Sequence, residues 1–480
     1  MNFSVVRYII GWILKFEAIF LLIPAIVGVI YKEHKQIVAF LVTAFLCLLF
    51  GHVCSYKKPK SKEIYTREGF ASVALSWLIM SIFGALPFII TGEIPHFIDA
   101  LFETISGFTT TGASILNDVE ALSHASLFWR SFTHWIGGMG VFVFVMAILP
   151  LLGGSSINLM RAESPGPSVS KLVPKVKDTA KILYQIYIGI TIAEVIILCL
   201  CGMSVFESFC TTFGTVGTGG FGIRNDSITS HSMLIRNVIT FFMIISGINY
   251  MTYFYLIRKQ FKEAFSIEEV RWYLIIILVS VGIITWNVSD MYDSLGETIS
   301  HVFFQVGSII TTTGFGTVDF NLWPQVSKTI LVILMFVGAC AGSTGGGIKV
   351  SRFVILFKAI GKEIRTMIHP RMIKKIHMDG HLIPHETLRS TNVFISVYCV
   401  IMFTSILLIG FDNFDFTTNF TAVAATLNNI GPGLELVGPT QNFSFFSPFS
   451  KCVLMFDMLA GRLELFPILI LLAPSCWKKY

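Results

Sequence analysis

The sequence predicts an all-α polytopic membrane protein, in which two N-terminal helices precede four copies of a helix–re-entrant loop–helix unit. Three observations carry that prediction. Charged residues make up only 13% of the 480 residues and apolar ones 54%, where an ordinary soluble chain holds about 25% charged residues. Long apolar runs recur along the chain, each close to the ~20 residues a helix needs to cross a bilayer. Between them lie four glycine-rich stretches, centred on Gly112, Gly220, Gly314 and Gly431 at spacings of 108, 94 and 117 residues.

With a mean hydropathy of +0.73, the chain cannot cover a water-facing surface with polar groups. Lipid offers no partner for backbone N–H and C=O groups, so spans must be helices or closed barrels. The alternating ~10-residue segments of a barrel are absent. The first run, Ile9–Ile30, is too long for a signal-peptide core and has no Ala-x-Ala-like site at its end, so it reads as a retained span. Lys15 and Glu17 near its start turn that end toward protein or the interface. The second span runs over Ile37–Tyr56.

Charge position sets orientation. Of 35 Lys and Arg residues, 26 are Arg7, the chain end, and four basic clusters: Lys57–Arg67, Arg161–Lys181, Arg258–Arg271 and Lys349–Arg389. The alternate links, Gly92–Ala125 and Ser289–Thr298, carry Asp and Glu but no Lys or Arg. That is the positive-inside pattern, and it predicts a multi-pass protein with both termini in the cytoplasm. The net charge of +6 is therefore a topology signal, and no nucleic-acid partner is expected. Nine scattered cysteines without a Cys-x-x-Cys pair indicate neither zinc nor a disulfide framework; they read as small buried hydrophobes.

After the first two helices one plan repeats four times: a long apolar helix, an acidic outer link, a half-length apolar piece, a glycine-rich stretch, and a second apolar helix. The divisions are 1–62 for the extension, then pore repeats at 63–160, 161–265, 266–368 and 369–480. The first and third stretches, Phe102 to Gly112 and Phe304 to Gly314, both end in Thr-Thr-Thr-Gly. The second, Thr215 to Phe221, and the fourth, Leu427 to Gly433, are more divergent. Each half-helix must dip in from outside and its tail return outward. Non-helical backbone at that depth is tolerated only inside protein or along a watery cavity. Four such loops predict a pseudo-fourfold arrangement around one ion pore.

An ion crossing such a pore exchanges its water for backbone carbonyls, which supply oxygens without a full charge that would trap it. Aiming successive carbonyls at one axis takes backbone angles natural to glycine. The expected filter residues are Thr110, Thr111 and Gly112; Thr218, Gly219 and Gly220; Thr312, Thr313 and Gly314; and Asn429, Ile430 and Gly431. Threonine hydroxyls there can add oxygens or hold the loop. Glycine at all four aligned positions favours a wider ring, and hence K⁺ over Na⁺.

These stretches, the two extra N-terminal helices, Trp135-Ile-Gly-Gly-Met-Gly140 and Gly338-Ala-Cys-Ala-Gly-Ser-Thr-Gly-Gly-Gly-Ile-Lys349 together resemble the Trk/Ktr/HKT superfamily of potassium transporters, most closely its bacterial TrkH/TrkG membrane subunits. The resemblance covers nearly the whole chain and is weakest in the second loop. It implies K⁺ as the transported ion, with no organic cofactor in this subunit. It implies a homodimer in the lipid bilayer with a cytoplasmic TrkA-type nucleotide-binding regulatory subunit. It also implies that Gly342, Ser343, Thr344, Gly345, Gly346 and Gly347 form an intramembrane gate below the filter, with Arg462 lining the pore beside it. Read from the residues alone, that stretch is a kink where helices pack, and Arg462, inside the last apolar helix, pairs with Glu464 or another carboxylate. Arg130, at the outer start of a helix, reads as a snorkelling anchor.

Other signals fall away on context. Gly217-x-Gly219-x-x-Gly222 lacks the βαβ setting of a dinucleotide fingerprint, and Gly342–Lys349 lacks the Gly-Lys-[Ser/Thr] of a phosphate loop. His377, His381 and His385 fall at helical spacing, but Gly380 and Pro384 make a loop the better reading than a metal site. No nucleophile–base constellation appears, so the chain is not expected to be an enzyme. The rival function is a secondary transporter coupling K⁺ or another cation to Na⁺ or H⁺. A non-conducting receptor or scaffold leaves the four loops unexplained.

Overall fold

The computed structural model describes residues 1–59, 65–152, 176–371 and 375–478. The repeat boundaries at 62/63 and 160/161, and the basic residues Lys60, Lys62, Arg161, Lys171, Lys175, Lys374 and Lys479, lie outside the described residues. Two helices, Phe3–Tyr31 and His34–Ser55, open the chain as an antiparallel pair. Lys32 turns them with a left-handed backbone at φ 61°. Glycine brings their axes close: a Cβ on Gly11 would lie 2.7 Å from the Gly51 carbonyl oxygen, and one on Gly51 2.8 Å from that of Gly11. Small residues that let backbones touch are how helices associate where lipid removes the hydrophobic drive.

Four units follow. Their first helices are Thr66–Thr91, Val176–Leu200, Glu268–Val288 and His385–Ile409. Together with the N-terminal pair these account for the six helices that, among the described residues, are long and apolar enough to cross a membrane. They form the periphery, and side chains such as Leu278, Trp286, Val400 and Phe403 stand exposed where lipid would lie.

The half-helices are Phe97–Phe108, Val205–Val216, Leu295–Ile310 and Phe416–Leu427, of 12, 12, 16 and 12 residues. At about 1.5 Å per residue they reach roughly 18–24 Å, too short for a ~30 Å core. Their starts are written locally. Ser204, Ser294 and Asp415 cap three of them by accepting the N–H of Glu207, Glu297 and Thr418, and the two serines sit in Ser-x-x-Glu capping boxes.

The second helices differ. The first, His124–Leu152, runs unbroken through its described length. The second bends by 92° between Met233–Ser246 and Tyr250–Ile257. The third stops at Val337 and resumes at Val350. The fourth ends at Arg462 and restarts at Phe466, with Glu464 and Leu465 at φ 54° and 68°. Arg462 therefore closes a helix and does not sit inside one. On the basic side, His377 and His381 lie on two short paired strands and His385 opens the next helix, so the three do not share a helical face.

Candidate functional site: four pore loops and the loop beneath them

All four half-helices end in one hydrogen-bond scheme. The amide of the second residue past the cap donates to the carbonyl five residues back: Thr111 to Ser106, Gly219 to Gly214, Thr313 to Ser308 and Ile430 to Ala425, at 2.8–2.9 Å. The amide before it donates three back: Thr110 to Gly107, Thr218 to Thr215, Thr312 to Ile309 and Asn429 to Thr426, at 3.1–3.2 Å. This Schellman closure requires a left-handed residue, usually glycine. Here the positions hold Thr110, Thr218, Thr312 and Asn429 at φ 54°, 53°, 58° and 56°. Left-handed backbone is costly for a β-branched residue, so three threonines held there point to a use for the side chain. Two residues later Gly112, Gly220, Gly314 and Gly431 are left-handed again, at φ 77°, 77°, 86° and 95°. A backbone that alternates hand turns successive carbonyls to one side, as a carbonyl-lined path needs.

The four loops meet in a closed cycle. A Cβ on Gly112 would fall on the carbonyl oxygen of Gly219, one on Gly220 on that of Thr313, and one on Gly314 on that of Ile430. A Cβ on Gly431 would lie 2.7 Å from the carbonyl oxygen of Thr111. Each glycine thus touches the next loop in chain order, and the fourth returns to the first. Both the φ angle and the contact exclude a side chain at these positions.

The hydroxyls mostly hold the loops. Thr109 and Thr111 share a hydrogen bond of 2.8 Å, and Thr311 and Thr313 repeat it at the same length. Asn429 Nδ2 donates to Thr111 Oγ1 and to the Met458 carbonyl, both at 2.9 Å, tying the fourth loop to the first. Trp135-Ile-Gly-Gly-Met-Gly140 is a packing face: a Cβ on Gly137 would meet the Phe108 carbonyl, and one on Gly138 would lie 2.8 Å from Gly217 Cα.

Arg130 departs from the sequence expectation. It is buried, with Nε 2.5 Å from Glu103 Oε1, one guanidinium N–H donated to the Gly222 carbonyl at 2.7 Å, and its plane 3.6 Å over the Phe221 ring. It is no snorkelling anchor; it clamps the first half-helix to the second loop. Glu103 also accepts from Ser114 Oγ and the Ile115 amide, bracing the first loop's return. Lys451 of the fourth unit reaches Asp99 of the first at 2.6 Å, and Arg236 of the second reaches His301 of the third at 3.1 Å. Sequence reading missed this cationic stitching because the partners lie 27, 65 and 352 residues apart, beyond the reach of any local pattern.

Directly beneath the loops lies Gly338–Lys349. The Gly346 amide donates to Thr312 Oγ1 at 2.6 Å, and the Gly347 amide to the Asn428 carbonyl at 3.1 Å. A Cβ on Gly345 would lie 2.9 Å from the Thr311 carbonyl. Ser343 Oγ donates to the Cys340 carbonyl and Thr344 Oγ1 to that of Ser246. Gly342 is left-handed at φ 70°, and its carbonyl accepts from the Tyr250 amide at 3.1 Å. The buried Lys349 ammonium donates to the Gly345 carbonyl. Glu269 Oε1 accepts both the Ala341 amide, at 2.6 Å, and the Ser351 amide, at 3.0 Å, fastening both ends of the stretch to the third unit's first helix.

Arg462 donates to the Thr344 carbonyl at 2.8 Å and to the Gly137 carbonyl at 2.6 Å. Those carbonyls belong to the third and first units, which face each other across the cycle. Glu464 pairs at 2.5 Å with Arg352, whose guanidinium stacks 3.9 Å from Phe394. The alternative pairing of Arg462 with Glu464 gives way to that arrangement.

A family described as a cation transport protein, TrkH, matches residues 36–479. The chain is 37% identical over 488 residues to the Trk system potassium uptake protein TrkH of Escherichia coli K12, covering 100% of both. It is 34% identical to TrkG of the same organism, covering 99% of this chain and 98% of that one. The crystal structure of the potassium transporter TrkH from Vibrio parahaemolyticus superposes with a TM-score of 0.89 at 33% identity, covering 100% of each chain. A full-length match at this identity places the protein plainly: the chain belongs to the TrkH family of multi-pass membrane cation transport proteins.

Proposed function

We propose that this chain is the ion-conducting membrane subunit of a potassium uptake system. The relatives that match it end to end are named for potassium uptake. The observation that carries the reading is the cyclic contact of Gly112, Gly220, Gly314 and Gly431 with the next loop's carbonyls. Four carbonyl sets around one axis can replace the water of a weakly hydrated monovalent cation without binding it too tightly to release. The residues assigned to the filter are Thr110–Gly112, Thr218–Gly220, Thr312–Gly314 and Asn429–Gly431, within repeats divided at 63–160, 161–265, 266–368 and 369–480.

The gate assigned here is Gly342–Gly347 with Arg462. Hydrogen bonds from the stretch to Thr312 and Asn428 hold it against the inner mouth. A guanidinium bonded to carbonyls of two opposed units lies across the ion path and repels a cation. The membrane potential, worth about 2.3 kcal/mol per charge per 100 mV, drives K⁺ inward with no coupled solute. A homodimer in the inner membrane with both termini cytoplasmic, regulated by a TrkA-type nucleotide-binding partner, completes the proposal. The basic clusters, which fall in alternate links along the sequence, support that orientation.

The test is Rb⁺ or K⁺ flux into proteoliposomes against competing Na⁺, with Gly→Ser changes at Gly112 and Gly314. Loss of K⁺ preference is expected; selectivity that survives both changes would overturn the filter. Uptake that stops without an imposed Na⁺ or H⁺ gradient, potential held constant, would replace the channel reading with the symporter.

A further inference from the structure

The second pore loop lacks the fastenings of the others. The first and third loops each tie a threonine pair together, Thr109 with Thr111 and Thr311 with Thr313, and the fourth is tied by Asn429 Nδ2. At the positions of those threonine pairs the second loop has Gly217 and Gly219, with no side chain to hold it. Yet its backbone keeps the same left-handed angles and closure.

What fills the gap is His134, from the second helix of the first unit. Its imidazole is fully buried. A Cβ on Gly219 would fall on the ring, and one on Gly217 would lie 2.6 Å from the His134 carbonyl oxygen. Nδ1 lies 2.8 Å from the Gly107 carbonyl oxygen, which can only accept, and the Phe221 amide donates to Nε2 at 3.2 Å. The two bonds together require the neutral ring with its proton on Nδ1. The Phe221 ring lies 4.2 Å away, tilted by 39° to the imidazole. The ring therefore bridges the end of the first half-helix and the residue that follows the filter glycine of the second.

We propose that His134 is a positioning residue for ion selectivity, setting the second loop in the register that its own side chains set in the other three. On this account Gly219 is glycine because the imidazole occupies the space of its side chain, which gives the second loop's divergence a packing cause. This rests on the filter reading above. The acceptor at the ε position does the positioning; the δ contact aims the ring.

The experiment is Rb⁺ uptake into proteoliposomes with Na⁺ competition, for His134→Ala, His134→Asn, His134→Gln, Gly219→Ala and the double variant His134→Ala/Gly219→Ala. Glutamine presents an acceptor near the ε position, whereas asparagine replaces only the δ donor. Expected is a fall in K⁺-over-Na⁺ preference of about 3- to 10-fold for alanine and asparagine, the weight of one buried hydrogen bond, and recovery of most of it with glutamine. Gly219→Ala is expected to be damaging alone and to add nothing on top of His134→Ala, because the ring it collides with is gone. Unchanged selectivity in His134→Ala, equal losses in glutamine and asparagine, or additive losses in the double variant would each overturn the proposal. Should His134→Ala not yield monodisperse protein, the glutamine–asparagine comparison decides. Gly220→Ser, run alongside, separates the two readings: if it too leaves selectivity intact, the filter has failed, and if it alone destroys selectivity, only the strut has.

Discussion

The outer and inner halves of the pore are built on opposite principles. Above, four loops, two reading Thr-Thr-Thr-Gly and two divergent, close their half-helices with the same hydrogen bonds and meet through the same glycine–carbonyl contact. Below, among the described residues, the symmetry is gone: the third unit sends a glycine-rich stretch inward, and the fourth supplies Arg462. An ion on a central axis needs equivalent oxygens from every side, so a filter gains from repetition. A barrier needs one element that can be in or out of the path, and four copies would have to move together. In our proposal selectivity and gating are therefore separable, and substitutions in one half should leave the other's readout alone.

The largest expected effect is on the outer ring's integrity. Arg130→Ala strands the buried Glu103 carboxylate and opens the clamp between the first two units. A loss of about 3–5 kcal/mol is expected for breaking such a pair, read as a drop in the melting temperature of purified protein; an unchanged value would mean that the clamp is idle. Next comes Gly112→Ser, whose side chain must displace the Gly219 carbonyl. A tenfold or greater fall in K⁺-over-Na⁺ preference, roughly 1.4 kcal/mol or more, is expected in competitive Rb⁺ flux, with no faster leak through the inner half.

Arg462→Ala sharpens the comparison from below. Removing two charge-assisted bonds to the Thr344 and Gly137 carbonyls, each worth about 1.5–3 kcal/mol, should raise K⁺ flux by tenfold or less, since the loop keeps its other contacts, and leave selectivity as it was. Flux that stays level removes Arg462 from the gate, and altered selectivity would join the two halves into one device. The smallest effect is expected of Glu269→Gln. It weakens the acceptor for the Ala341 and Ser351 amides without deleting it, so a flux increase of about two- to threefold is expected, the lower range for one hydrogen bond.

Much of this was readable in the chain. Thr109–Gly112 and Thr311–Gly314 announced two loops, the Ser204 and Ser294 capping boxes marked where half-helices begin, and Gly338–Gly347 could not continue a helix. Some signals were present but faint: Pro467 two residues past Leu465 hinted that a new helix starts there, and Gly247 before the capping Asn249 hinted at the 92° bend. Other features had no local signal. Nothing near Arg130 names Glu103 or Gly222, and nothing near Glu464 names Arg352. Arg462 with Glu464 two residues on looked like a local pair; the fold turned them to different partners. Cys399 and Cys452, expected to be buried, stand exposed, where lipid would lie.

By itself, then, the sequence determined what depends on short range and on solvent: apolar spans, half-helices too short to cross, and glycine at one left-handed turn of each loop. Those follow from hydropathy, capping and φ, which act over a few residues. Only the tertiary structure decided which carbonyl each glycine meets, that three threonines would take a glycine's backbone angle, and that an imidazole from one repeat would fill the gap in the next. Such contacts join residues tens to hundreds of positions apart. Their energy exists only once all four units have closed around the axis.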